Sequence, residues 1–495
     1  MRTCDLLFGR ASFAAGVALT LAATVAQGQM VRVQAQREVE PPDYSTFRLG
    51  PLYSSMSWEE TVGYRYTTSS GSGTDYLVSN DRGEIKEDGS DFPIISSLTF
   101  RNYLMLSRYA DVDASFTVSY LYFPMNTSDD EFRFDMAGEG VYGTVSSEFR
   151  ISPYLYASVY DSLIYRTDYV DTRGKSDNYG GNDYEYLNNT VGGRLNWLMT
   201  PDDTLTLSLS RADWWSMDNS YDDQERTEYS EGLTYTHALE EGINVGAESI
   251  FTQYLYKDDT RPDTAQEDYR LFSRIEPGAG PAWMERSSLS AYVGYSRGYD
   301  TSRPDVASGA STTNVVYESS VDESTMTGGV TLETHLRQDL THRLSYDHGL
   351  RDGFNSAFEQ TDTVAYALTW KGELTTVQFR STYERVNPSS DAETDYSDWA
   401  NGVTWMRELT KRMTLTLGST YWIRTNDVTG NEVGLPAEDT NDYDTWVSRI
   451  STAYELTERT TFTTAYSYAE RFSDAEDLAY SRHTVEAYLT YRRQF

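Results

Sequence analysis

The chain of 495 residues has a single cysteine, Cys4, and it lies ahead of an apolar run close to the N-terminus. Beyond residue 28 there is thus no material for a disulfide, a thiolate metal site or a cysteine nucleophile. Long hydrophobic runs are equally scarce. After residue 30 nothing approaches the roughly 20 apolar residues that a membrane-spanning helix requires. Positive charge is also short, with 41 Lys and Arg against 76 Asp and Glu, a formal net charge of −35 and a pI near 4.4. Nucleic acid is set aside as a partner, because phosphate binding needs a concentrated basic face.

What the chain has in quantity is aromatic rings: 40 Tyr, 18 Phe and 10 Trp, 14% of all residues, at a mean hydropathy of −0.59. Disordered chains are poor in such rings, so the composition predicts a folded protein of unusual polarity. Arg2 and Arg10 precede the apolar run 14–25, and Ala26-Gln27-Gly28 supplies small residues at the spacing a signal peptidase reads. Residues 1–28 are therefore expected to be a secretory signal. Residues 29–46, with Pro41-Pro42, read as a polar periplasmic lead-in, and 47–495 as one domain.

From about residue 50 onward the pattern has period two. Phe462, Thr464, Tyr466 and Tyr468 alternate with Thr461, Thr463, Ala465 and Ser467; Leu415, Leu417, Tyr421 and Ile423 alternate with Thr414, Thr416, Gly418 and Thr420. Successive side chains of a strand point to opposite faces, so each such segment has one apolar face and one small or polar face. Short connections recur at 107–111, 150–153, 200–203, 240–242, 283–287, 338–341, 371–373, 410–412 and 457–459. Long polar connections fall between them, at 69–90, 123–131, 167–184, 215–225, 257–268, 300–323, 351–361, 386–395, 427–443 and 472–480.

Nine short turns and ten long loops separate twenty strands, with 18 to 22 as the range the spacing allows. Two-sided strands joined by turns that are short at one end and long at the other predict an all-β fold: a transmembrane antiparallel β-barrel with short periplasmic turns and long extracellular loops. Lipid offers no hydrogen-bond partner, so a sheet crosses it only by closing on itself. Tyr120, Tyr122, Trp214, Trp215, Tyr254, Tyr256, Trp399, Trp405 and Trp422 fall near strand ends, where interfacial girdles place amphipathic rings. The ten long loops hold 39 Asp and Glu against 8 Lys and Arg, a net of −31. Acidic loops of this kind could bridge through divalent cations to lipopolysaccharide at runs such as Asp222-Asp223, Asp258-Asp259 or Glu438-Asp439, although none has the ligand spacing of a calcium motif. A solvated acidic surface is the plainer expectation.

The segment Phe47-Arg48-Leu49-Gly50-Pro51-Leu52-Tyr53, units such as Tyr454-Glu455-Leu456-Thr457-Glu458-Arg459-Thr460-Thr461-Phe462 and the terminal Tyr491-Arg492-Arg493-Gln494-Phe495 resemble the β-barrel porin 2 group of bacterial outer-membrane proteins. The resemblance covers the chain after the leader, through motifs that reflect barrel construction. It implies a place in the outer membrane of a Gram-negative-type envelope, a porin-like role and, through relatives associated with exopolysaccharide loci, an alternative role in polysaccharide export. Val485, Ala487, Leu489, Tyr491 and Phe495 are similar to the signal read by the barrel assembly machinery; Arg493 stands where an apolar or aromatic residue is usual.

Catalytic constellations dissolve on inspection. Gly138-Glu139-Gly140-Val141-Tyr142-Gly143 matches a dinucleotide-binding spacing but lies within a predicted strand, with no helix behind it. His237, His335, His342, His348 and His483 all fall in strands or beside short turns, without metal-ligand spacing, and read as satisfied strand histidines. The expectation is therefore no enzyme and no cofactor. The polar faces carry the candidate pore-lining charges: Arg194, Arg343, Arg380, Arg424, Arg449, Glu248, Glu333, Glu384, Glu455 and Asp347, with Arg492 and Glu486 alongside. They would cross-link the interior, tune a pore, or do both. Twenty tilted strands enclose a cylinder roughly 40 Å across, too wide for side chains to plug. The expected function is passive diffusion of small hydrophilic solutes; polysaccharide export, or surface adhesion through the acidic loops, is the alternative.

Overall fold

The computed structural model describes residues 45–70, 89–125, 131–135, 145–170, 182–217, 222, 224–257, 261–279, 284–301, 322–353, 357–389, 395–427, 442–473 and 479–495. The leader, the Gly138–Gly143 motif and most of the acidic loop runs lie outside them. Among the described residues there is no α-helix. The first ten strands are β1 (Leu52–Ser70), β2 (Gly89–Asp91 and Ile94–Met105), β3 (Ala110–Tyr122), β4 (Glu131–Asp135 and Val145–Ser152), β5 (Leu155–Val170), β6 (Asn182–Leu198), β7 (Asp203–Ser216), β8 (Arg226–Glu240), β9 (Ile243–Tyr256) and β10 (Thr264–Ile275). The second ten are β11 (Ser287–Asp300), β12 (Asp322–Arg337), β13 (Leu340–Asp352), β14 (Phe358–Lys371), β15 (Thr375–Pro388), β16 (Asp395–Thr410), β17 (Met413–Asp427), β18 (Tyr443–Thr457), β19 (Thr460–Ser473) and β20 (Tyr480–Gln494).

Each strand pairs antiparallel with the next, and β1 pairs with β20 from Ser57↔Gln494 to Ser70↔Ser481. The sheet therefore has no open edge at its ends: it is a closed antiparallel barrel of twenty strands. The break in β2 falls at Phe92-Pro93, and proline has no N–H to give to the ladder. Phe47–Leu49 folds back on Leu52–Ser54 through Gly50, at φ 61°, and adds nothing to the wall.

The two faces of the wall differ because the sequence alternates. Side chains from strands two apart converge on the concave face and diverge on the convex one. Arg449 on β18 reaches Glu486 on β20 at 2.9 Å, and Arg351 on β13 reaches Glu384 on β15 at 3.0 Å, so these alternations face the lumen. The opposite alternations carry Val62, Val191, Leu233, Leu344, Ile450 and Leu489, all exposed. Rings flank this apolar belt. On β18, Trp446 and Tyr454 lie four residues either side of Ile450 on the same outward face.

Some local expectations are corrected. Trp214, Tyr254, Tyr256 and Trp422 share the inward alternation, so they belong to the lumen and not to a girdle. Residues 351–352 and 358–361, expected in a loop, are strand. The connection from β10 to β11 occupies 276–286, longer than the turn expected at 283–287.

Candidate functional site: the lumen

All ten candidate pore-lining residues fall on inward alternations. Arg194 is on β6, Glu248 on β9, Glu333 on β12, Arg343 and Asp347 on β13, Arg380 and Glu384 on β15, Arg424 on β17, and Arg449 and Glu455 on β18. The register explains this: directly paired residues share a face, and Glu333 stands opposite Arg343, Gly418 opposite Arg449 and Thr363 opposite Glu384.

The barrel gives most of these charges partners. Arg424 Nε donates to Asp398 Oδ1 at 2.8 Å while its guanidinium lies 5.2 Å from the Tyr443 ring. Glu248 accepts from the Thr234 hydroxyl at 3.1 Å, and the Tyr292 hydroxyl donates to Asp347. Glu455 sits apart from these networks, exposed beside the turn into β19. Cross-linked charges of this kind stiffen the interior and leave its wall polar.

Among the ion pairs of the described residues, one at the closing strands is almost wholly buried. Arg65 on β1 and Glu486 on β20 are 2% and 1% exposed and 3.3 Å apart across the strands that close the barrel. Glu486 also holds Arg449 at 2.9 Å and accepts from the Tyr488 hydroxyl at 3.1 Å. Gly63, next inward on β1, leaves room for the Tyr488 ring, which would lie 2.1 Å from any Cβ placed there. The inward alternation of Glu486 is readable in the sequence; its burial accompanies the contacts with Arg65, Arg449 and the Tyr488 hydroxyl.

The histidines are tied into local networks. His237 Nδ1 lies 2.8 Å from Asp203 Oδ1, which also accepts from the Tyr235 hydroxyl at 2.6 Å, at the start of β7. His335 meets Thr341 at 2.8 Å, His483 meets Tyr466 at 2.8 Å, and His342 packs 6.3 Å from the Tyr366 ring. His348 lies between Thr325 and Asp362, at 3.0 Å from each. Among the described residues no group of three potential ligands could hold a metal ion.

At the C-terminus, Val485, Ala487, Leu489 and Tyr491 share the outward face of β20, and Tyr491 meets Trp58 edge to face at 5.9 Å. The Phe495 amide donates to Met56 O at 2.7 Å. Arg493, also outward, lays its guanidinium 4.5 Å from the Phe495 ring.

No protein-family model matches the chain, and no curated protein matches it. Among solved structures it is similar to OccAB4 of Acinetobacter baumannii, at 9% identity over 92% of this chain and 100% of that one, with a TM-score of 0.37. It is also similar to OccK2 (OpdF) of Pseudomonas aeruginosa, at 12% identity over 89% and 98%, with a TM-score of 0.40. A copper transporter, OprC, gives 10% identity over 90% and 84%, with a TM-score of 0.46.

Proposed function

We propose that the protein is an outer-membrane channel through which small hydrophilic solutes diffuse passively, with no reaction chemistry of its own. The observation that carries this reading is the inversion of the two faces: exposed apolar side chains ring the outside, and paired charges and hydroxyls line the inside. A closed sheet satisfies its backbone internally, so an apolar exterior is stable only in lipid. An interior this wide and polar would hold water. Arg194, Arg343, Arg380, Arg424, Arg449, Glu248, Glu333, Glu384, Glu455 and Asp347 would then line the solute path and tune it by fixed charge.

The barrel supports a place in the outer membrane, the leader expected from the sequence would carry the chain there, and lipopolysaccharide would surround the side that bears the acidic loops. Planar-bilayer recording tests the function: purified protein is expected to insert in discrete conductance steps, whereas persistently silent insertions would favour a surface or polysaccharide-export role. The terminal strand supplies a second expectation. Deleting Phe495 removes both the Met56 contact and the end of the assembly signal, so the amount of folded barrel in the outer membrane should fall while total synthesis is unchanged. The heat-modifiable band on electrophoresis measures it.

A further inference from the structure

The wall is not continuous over its whole height. β12 and β13 pair from Arg337↔Leu340 as far as Gly328↔His348 and stop there, although β12 extends to Asp322 and β13 to Asp352. Above that point β13 stays paired with β14 up to Asp352↔Phe358, and β14 with β15 up to Glu359↔Pro388. These upper segments form one continuous sheet, still joined to β16 as far as Val386↔Tyr396, and only its β13 edge is free of the neighbouring strand.

The direction of departure is inward. On the outward alternation of β13 and β14 lie His348, Asp352, Phe358 and Gln360, and each touches a residue on the inward alternation of another strand. His348 Nε2 is 3.0 Å from Thr325 Oγ1, and Gln360 Nε2 donates to Glu323 Oε2 at 3.5 Å. The Phe358 ring occupies the space over Gly298, 2.5 Å from where a Cβ would be. The Tyr256 hydroxyl reaches both oxygens of Asp352 at 2.9 Å. An outer face meets an inner face only when the first sheet lies inside the second. Tyr256 and Asp352 belong to strands four apart, about 19 Å along the wall at the usual strand spacing, so their contact marks a shortcut across the lumen.

The in-curled position is built, not loosely occupied. Phe358 is fully buried, and Leu350, on the same outward alternation, is 5% exposed. A free strand edge needs hydrogen-bond partners for its backbone, and side chains provide them: Leu350 O accepts from Gln266 Nε2 at 2.9 Å, and Gly353 O accepts from the Arg261 guanidinium. Asp352 is further flanked by Arg261 at 3.9 Å and Arg226 at 4.0 Å.

We propose that this in-curled rim of β13–β15 is the constriction of the lumen and sets the upper size of the solutes that pass. Its positioning residues are Tyr256 and Asp352, which clasp it to the wall, and Gly298, whose missing side chain admits Phe358. The proposal rests on the channel reading and specifies where that channel is narrowest.

Gly298→Leu tests it, because a side chain there takes the place of the Phe358 ring and forces the rim outward. Gly418→Leu is the control: Gly418 is also inward, and a Cβ there meets nothing within 4 Å, so the same bulk is added without touching the rim. Tyr256→Phe, which removes one hydroxyl, serves as a milder second variant, and heat-modifiable mobility verifies folding of each. Single-channel conductance and exclusion of graded polyethylene glycols are the readouts. Gly298→Leu should raise conductance about 1.5-fold or more and admit larger polymers, since the narrowest section dominates pore resistance. Tyr256→Phe should move both the same way, and Gly418→Leu should leave them level or slightly lower. A silent wild type beside a conducting Gly298→Leu would also support the rim, as a closed constriction. Should wild type conduct and all variants match it, the constriction is overturned while the channel stands. If every variant is silent, the channel reading falls and the constriction with it.

Discussion

An arginine placed at Ile450 is expected to destabilise the folded barrel in a bilayer by about 2–4 kcal/mol, whereas the same residue one position on, at Ser451, should cost little. Ile450 is exposed on the outward face of β18, midway between Trp446 and Tyr454, where the hydrocarbon is thickest. Ser451 points into the lumen, paired with Thr416 and Ala465, and water there can solvate a guanidinium. Period two makes adjacent residues inhabit different solvents. Urea titration of barrels refolded into lipid vesicles measures both costs. Equal costs at the two positions would mean that the outward face is not in lipid.

The second large effect is expected at the closing strands. Truncating Glu486 to Ala leaves the Arg65 and Arg449 guanidinium groups without their shared carboxylate, one of them almost wholly buried. Breaking a buried ion pair from one side typically costs about 3–5 kcal/mol, because the remaining charge keeps its desolvation penalty. Replacing Arg65 by Met in the same chain should recover a substantial part of the loss, since the stranded charge is then gone. The same urea titration compares the single and double variants. An additive double variant would show that Arg65 and Glu486 are not coupled.

The barrel was legible because its constraint is simple. A closed wall with an apolar outer face and a polar inner one forces alternation on every strand, so runs such as Thr461 to Tyr468 declare both strand and face. The ten charged residues assigned to the polar alternations fall on the inward side for the same reason. What stayed hidden depends on strands far apart in sequence. Arg351 and Asp352 read as loop because they are themselves charged and Gly353 follows them, yet they are strand, held by Glu359, Glu384 and Tyr256. Trp214 and Trp422 lie near strand ends, as girdle rings do, but they share the parity of Thr204 and Arg424 and therefore face inward. The halt of the β12–β13 ladder at Gly328↔His348 leaves no local signature, since both strands keep their alternation beyond it.

If the two faces of each strand meet different solvents, the difference can be measured directly on β18. With Cys4 as the sole cysteine, a Cys4→Ser chain can carry one spin label at a time at positions 446 to 453, reconstituted in lipid vesicles and scanned by electron paramagnetic resonance. Accessibility to oxygen, which partitions into lipid, should peak at 446, 448, 450 and 452, and accessibility to a water-soluble nickel chelate at 447, 449, 451 and 453. Two curves rising and falling in phase, or nickel access at every position, would contradict it.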